Sequence, residues 1–411
     1  MADLQCSIAG DSSPGQPIYT ARRPEVPWTL GYHAPMVRQG SVEGVGGPLR
    51  VAVLGAGTVG REVIAGLLEG RSPNLAPEAG AFELVGVAAR DLTRAAASGV
   101  PARLLTDAPA HLVAGASDVI IEVMGGEEPA RTLIAAALTA GKAVVTANKY
   151  VVARHGPELE AISRQTRAPF RYEAAVMGGT PILRLLAEDL AGTTVESLRG
   201  IVNGTTNYIL TEMSTRGVDY ADALMDAQMA GYAEADSTGD VEGGDAADKL
   251  VVLARLAFGS WLDRSHVHVQ RAGGRPGITG VTADDLARAA AEGFAIRLIA
   301  SAHRRQTDGR IEAAVLSTAV PQASGLGQTN GVRNRIEIRT EHLGMLAVEG
   351  PGAGGAATAS AVLSDLLAVR RGAGSTWADL PAAAIERSTS LLPKARSYFV
   401  GPSGVRYPVD D

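Results

Sequence analysis

Short apolar runs alternating with longer stretches of helical spacing dominate the early part of the chain. Arg50-Val51-Ala52-Val53-Leu54 reads as a buried strand, a glycine turn follows, and Val59 to Leu68 carry apolar residues at the spacing of a helix face. Further strands are predicted at Phe82 to Ala88, Val119 to Val123 and Ala143 to Thr146, with Ala- and Leu-rich helical segments between them. Alternation of this kind predicts an α/β unit whose parallel sheet is covered by helices.

Beyond about residue 181 the pattern changes to longer helices mixed with other strands. Leu198 to Val202, Ile311 to Val315 and Arg335 to Arg339 read as strands, Ile209 to Ser214 as the start of a helix, and Ala246 to Phe258 as a strong helix. A second, mixed α+β domain is expected. Gly350-Pro351-Gly352-Ala353-Gly354-Gly355 then makes a glycine turn into one more helix, Thr358 to Val369. The expected divisions are an arm rich in Gly, Pro, Ser and Arg over 1–48, a nucleotide domain over 49–180, the mixed domain over 181–350, the C-terminal helix over 351–371 and an extended tail over 372–411.

Composition narrows the function classes. With 411 residues, two packed domains are expected, and a net charge of −6 gives no electrostatic footprint for nucleic acid or an anionic membrane surface. A small-molecule substrate is favoured. Cys6 is the single cysteine, so neither an internal disulfide nor a thiolate metal cage can form within one chain, which points to a reducing compartment. The first residues lack a signal-peptide pattern and the apolar stretches are cut short of membrane-spanning length, so a cytoplasmic protein is expected. Of the 38 basic residues only Lys142, Lys149, Lys249 and Lys394 are lysines. Arginine keeps its proton, whereas a lysine can be tuned to give or take one, so these four are candidates for proton chemistry as well as solvated charges.

Several stretches carry possible chemistry. Gly55-Ala56-Gly57-Thr58-Val59-Gly60 fits G-x-G-x-x-G between a predicted strand and a predicted helix, the context of a Rossmann-type dinucleotide site. The glycines permit a sharp turn and let a pyrophosphate approach the N–H groups at the helix start. The second strand ends in Arg90-Asp91, where a ribose-selecting residue sits. An arginine there suits the 2′-phosphate of NADP, with NAD the alternative and a solvated arginine the bland reading. Thr146-Ala147-Asn148-Lys149 follows the carboxyl end of the fourth strand, where ligands of open parallel sheets bind.

The densest polar cluster runs from Gly231-Tyr232-Ala233-Glu234-Ala235-Asp236 through Asp240 and Glu242 to Gly243 and Asp245, and enters a helix that carries Asp248 and Lys249. Acids in a first helical turn are ordinary capping and dipole chemistry. Asp245 and Lys249, four apart, share one helical face, so the acid can keep the lysine protonated and oriented as a general acid for a carbonyl oxygen. Any surface pair has the same spacing. Asn203-Gly204-Thr205-Thr206-Asn207-Tyr208 can cap a helix or bind a ligand carboxylate, and Glu173 to Pro181 can aim carbonyls at a hard cation. The histidines show no nucleophile or metal spacing.

The glycine turn, Thr146 to Lys149, Asn203 to Leu210, Gly231 to Glu234 and Asp245 to Leu250 occur in the order found in homoserine dehydrogenases, and the chain resembles that family from about Leu49 to Arg370. The resemblance implies reversible NAD(P)H-dependent reduction of L-aspartate 4-semialdehyde to L-homoserine, a step of threonine, methionine and isoleucine biosynthesis. It makes Lys249 the proton donor, supported by Asp245 and by Lys149, which lies between cofactor and substrate. Substrate contacts are expected from Glu234, Asp240, Asp245, Tyr232, Asn203 and Thr205. Cofactor contacts are expected from Gly55, Gly57, Thr58, Val59, Gly60, Arg90, Lys149, Gly231, Glu234 and Gly354. The resemblance further implies a monovalent cation, usually sodium, held by Glu173 and the carbonyls of Val176, Gly178 and Thr180. It also implies a homodimer built partly through the second domain, and a C-terminal helix that returns to the nucleotide domain. Too few residues follow Arg370 for the ligand-sensing ACT domain of many bacterial members, the N-terminal arm is atypical, and Ser237 stands where proline is common.

Overall fold

The computed structural model describes residues 47–69, 81–272, 274–377, 380–383, 385–386 and 397–409. The arm expected over 1–48 falls outside these except for Gly47 and Pro48, as does Lys394.

Six strands form the first sheet: β1 (Leu49–Leu54), β2 (Phe82–Ala88), β3 (Leu105–Thr106), β4 (Val119–Glu122), β5 (Ala143–Thr146) and β6 (Phe170–Arg171). All pair in parallel, in the order β3-β2-β1-β4-β5-β6. This is the doubly wound order with its switch point between β1 and β4. The helices α1 (Thr58–Glu69), α2 (Leu92–Ala97), α3 (Pro109–Ala114), α4 (Ala130–Thr139) and α5 (Lys149–Thr166) alternate with the strands.

Burial on both faces explains why the central strands are continuous apolar runs. Ala52, Leu54, Ile120 and Val144 pack with Ile134 and Leu138 of α4 and Val151 of α5. Val51, Val53, Ile121 and Val145 face the other way, toward Val63 and Ile64 of α1. The very short β3 and β6 carry no periodicity of their own and were not among the sequence-predicted strands.

The second sheet is built from β7 (Val195–Ile201) and strands much later in the chain. After β7 come the helices α6 (Gly204–Arg216), α7 (Tyr220–Met229), α8 (Thr238–Val241) and α9 (Gly244–Phe258). The short strands β8 (Trp261–Leu262) and β9 (His268–Val269), and a small hairpin of β10 (Arg271–Ala272) and β11 (Arg275–Pro276), lead to α10 (Ala283–Ala291). The long hairpin of β12 (Phe294–Arg304) and β13 (Ile311–Pro321), the turn α11 (Gly325–Gln328), and the hairpin of β14 (Arg333–Thr340) and β15 (Gly344–Pro351) follow. The order is β15-β14-β7-β12-β13-β9, antiparallel except for β13 beside β9. Sequence periodicity missed β12, where buried Arg297 interrupts the apolar run, and β15, an edge strand exposed along most of its length.

The final helix, α12 (Gly355–Arg370), lies against the first sheet beside α1. Its Val362 and Leu366 join the cluster around Val51 and Val53. The approach is close at Gly66, where a Cβ would stand 2.7 Å from a methyl of Leu363.

An extended tail was expected after residue 372, and the described parts of that stretch correct it. Trp377 packs on Phe170 and Tyr172, with ring centroids 5.9 and 6.0 Å away. β16 (Ile385–Glu386) pairs with β8, and β17 (Tyr398–Val400) pairs with β18 (Arg406–Pro408), whose buried Tyr407 donates to Asp285 at 2.8 Å. Single anchor residues hold this segment, so no periodic pattern betrayed it.

Candidate active site

The glycine turn is tight where it meets protein and open where it does not. Gly55 has φ +113°, and a Cβ there would lie 2.7 Å from the Val123 carbonyl oxygen. A Cβ on Gly60 would come within 2.0 Å of the Gly55 carbonyl oxygen, whereas one on Gly57 would meet nothing within 4 Å. The open side faces the start of α1 at Thr58 and Val59, where unpaired N–H groups and the helix dipole favour an anion. The α12 N-terminus meets the same place: a Cβ on Gly355 would sit 2.9 Å from the Thr58 methyl, and Gly354 has φ +121° with open space beside it. This cradle fits a dinucleotide pyrophosphate. Past the end of β2, Asp91 is committed to capping α2 through the Arg94 N–H at 2.9 Å, and exposed Arg90 has no ion-pair partner among the described residues.

Beside the turn, an acid that sequence reasoning passed over ties two loops together. Glu122 closes β4 fully buried. It accepts the Met124 N–H at 2.8 Å and the Thr146 hydroxyl at 2.6 Å. Burial pushes its pKa up, against these hydrogen bonds. Thr146 in turn accepts the Asn148 N–H, while the Asn148 amide donates to the Gly126 carbonyl and its oxygen caps α5 at Val151. Lys149, the first residue of α5, is thereby fixed at the carboxyl end of the sheet. An acid ending the apolar run Val119-Ile120-Ile121 was the available signal.

Across from Lys149 stands the start of α9. Lys149 Nζ lies 2.9 Å from Asp245 Oδ1, and Lys249 Nζ lies 2.7 Å from Asp245 Oδ2. Lys249 also donates to the Val202 carbonyl at 2.7 Å. The Asn203 amide nitrogen donates to Asp240 at 2.7 Å and to Asp245 at 2.8 Å. Burial alone would favour neutral Asp245, but Lys249 and Lys149 overcome it and hold the carboxyl well below the usual aspartate range. Burial likewise opposes the charge on Lys149, and Asp245 more than offsets it, raising the lysine above its ordinary value. Asp240 moves the other way, pushed up by burial and by the negative Asp245. Two amines thus converge on one anion, with one further acid, Asp240, beside it.

The remaining candidates are placed less directly. Gly231 ends α7 with φ +75°. Exposed Tyr232 packs on Tyr208 with ring centroids 4.9 Å apart and accepts the Thr205 hydroxyl through its carbonyl at 2.7 Å, which ties the loop after α7 to the start of α6. Glu234 is exposed, and among the described residues its carboxylate has no ion-pair partner and no contact with the lysine–aspartate cluster. The Glu173 carboxylate accepts the N–H groups of Ile182, Leu183 and Arg184 at 2.8 to 2.9 Å. After Val176 the chain turns through Met177 and Gly178, both left-handed, and Thr180 donates to the Pro351 carbonyl. Among the described residues no group of three His, Cys, Asp or Glu side chains could hold a metal ion.

Two family models match the chain: Homoserine dehydrogenase, NAD binding domain, over residues 55–173, and Homoserine dehydrogenase over 181–367. A homoserine dehydrogenase of Mycobacterium bovis is 44% identical over 79% of this chain and 73% of its own length. The chain belongs to the homoserine dehydrogenase family. It is therefore a nicotinamide-dependent oxidoreductase. The homoserine dehydrogenase of Corynebacterium glutamicum is 38% identical over 85% of this chain and 79% of its own. Among solved structures, a homoserine dehydrogenase from Thiobacillus denitrificans superposes with a TM-score of 0.76 at 35% identity, covering 83% of this chain and 80% of that one. A hyperthermophilic archaeal homoserine dehydrogenase in complex with NADPH gives 0.63 at 28% identity, covering 78% and 97%. Both the Rossmann-type sheet and the mixed second domain expected from the sequence are those of this family. Among the described residues no helix is long and apolar enough to cross a membrane.

Proposed function

We propose that Lys249 protonates the aldehyde oxygen of L-aspartate 4-semialdehyde as the carbon is reduced, giving L-homoserine, and takes that proton back in the reverse reaction. The observation that carries this reading is the pair of amines, Lys149 and Lys249, held on one buried Asp245 carboxylate, with Lys149 at the carboxyl end of the sheet that also carries the glycine turn. NADPH, bound along that turn, supplies the hydride. Asp245 and the Val202 carbonyl hold and aim the Lys249 amine, so its N–H groups are in place when negative charge develops on the carbonyl oxygen. Asp240 and Glu234 attract the substrate ammonium, and Lys149 adds positive charge between substrate and cofactor. Arg90 is the 2′-phosphate contact that favours NADP over NAD, with Asp91 occupied as a cap. Gly231 and Tyr232 belong to the lip of the cleft.

The carbonyls of Val176, Gly178 and Thr180 suit a monovalent cation such as sodium, supported by the left-handed turn at Met177 and Gly178. Such an ion would brace the loop that leans on Pro351 and Gly352, ahead of the cofactor-facing Gly354. A homodimer formed partly through the second sheet fits the exposed Leu343 and Met345 at the edge hairpin. The single cysteine fits a cytoplasmic enzyme.

The test is one spectrophotometric assay with L-homoserine and NADP or NAD. Homoserine-dependent NADPH formation, faster than with NAD, is the expected result. A protein that binds NADPH but gives no absorbance change would instead be a nicotinamide sensor that kept the fold.

A further inference from the structure

We infer that Asn203 is a positioning residue that locks Asp240 and Asp245 into one rigid acidic unit, and that it does not itself contact the substrate. The inference rests on the reading of Lys249 and Asp245 given above. A carboxamide offers two N–H donors and an oxygen with two lone pairs. In Asn203 both donors are taken: Nδ2 donates to Asp240 Oδ1 at 2.7 Å and Asp245 Oδ2 at 2.8 Å, while Oδ1 accepts the Thr206 N–H at 2.8 Å and the Thr206 hydroxyl lies between Oδ1 at 3.0 Å and the Asn203 carbonyl at 3.1 Å. No donor is left for a ligand carboxylate. The Thr206 N–H also settles which way the amide points, because only its oxygen can accept from the start of α6.

The device answers an electrostatic problem. Asp240 and Asp245 sit close together and largely away from water, so each raises the cost of charge on the other. A neutral group donating to both lowers that cost without adding a third charge. The same strand end secures the amine, since Val202, the residue before Asn203, accepts from Lys249 at 2.7 Å. Beta-strand β7 therefore delivers two adjacent fixings, one to the proton donor and one to the acid that orients it. The charged and titratable groups facing this unit are Lys149 and Tyr150 from α5, Asp240 from α8, and Asp245, Asp248 and Lys249 from α9.

Serine and aspartate cap helices as well as asparagine does, so Asn203→Ser and Asn203→Asp separate the cap from the clamp. Serine keeps the cap and loses the double donation. Aspartate keeps the cap and places a third carboxylate beside the amines. With the full-length enzyme, Asn203→Ser is expected to lower kcat for homoserine oxidation about tenfold or more while the thermal midpoint stays near wild type. Asn203→Asp, which also loses both N–H donations, is expected to lower kcat at least as far, again with the thermal midpoint near wild type.

Three results would overturn the inference. One is wild-type kcat and KM in both variants. Another is a change confined to KM for homoserine, which would make Asn203 a substrate contact. The third is loss of activity that only tracks a fallen thermal midpoint, which would make it a cap alone. Failure of the wild type to oxidise homoserine would strike the underlying reading instead, and is seen before any variant is made.

Discussion

Lys149 and Lys249 hold opposite oxygens of the same Asp245 carboxylate, at 2.9 and 2.7 Å, although one lysine opens a helix of the nucleotide-binding sheet and the other lies in a helix packed on the second sheet. Asp245 is 2% exposed and Lys249 is buried, while Lys149 is part-exposed, so the anion of this two-cation cluster is the group most dependent on its partners.

Replacing Lys249 by arginine keeps the charge in a group that does not give up its proton at any accessible pH. Turnover of Lys249→Arg should fall by ~10² or more, with NADPH binding, followed by fluorescence, little changed. Near-wild-type turnover in this variant would remove Lys249 from the proton-transfer role.

Asp240 gives the acid limb of the pH dependence. Its pKa is raised by burial and by Asp245, so the fraction of charged Asp240 falls as pH drops toward that raised value. A protonated Asp240 no longer attracts the substrate ammonium, and KM for homoserine should climb on the acid side while kcat changes less. Asp240→Asn should show a high KM at every pH with that acid-side climb flattened. An unchanged acid limb in this variant would assign the titration to another group.

The glycine turn separates folding from binding. A Cβ on Gly57 meets no protein atom within 4 Å, so Gly57→Val should fold with a near-native thermal midpoint and lose NADPH affinity. A Cβ on Gly60 would strike the Gly55 carbonyl at 2.0 Å, so Gly60→Ala should lower the midpoint itself. Normal NADPH binding by a well-folded Gly57→Val would show that the cofactor lies elsewhere.

Arg90 tests cofactor choice. Removing a charge-assisted contact to the 2′-phosphate should weaken NADPH by about tenfold, and leave NADH almost untouched, in Arg90→Ala. Equal losses for the two cofactors, measured as KM, would deny Arg90 a selective role.

Much of this site was legible in the sequence because it is local. A strand, a tight glycine turn and a helix follow from residues within a dozen positions, and the Asp245–Lys249 contact follows from helix geometry once α9 exists. The buried strands β1, β4 and β5 announced themselves as continuous apolar runs because both their faces are covered. Tertiary structure alone decided which distant groups share a carboxylate. Lys149 meets Asp245 because the ends of two separate sheets converge, Asn203 clamps Asp240 because α8 returns to the end of β7, and Glu122 pins Thr146 because β4 and β5 are neighbours in register. It also decided that the stretch after residue 372 folds back on anchors such as Trp377 and Tyr407. Periodicity reports how a segment packs against one surface; it carries no information about which other segment supplies that surface, and charge pairing between segments has no period at all.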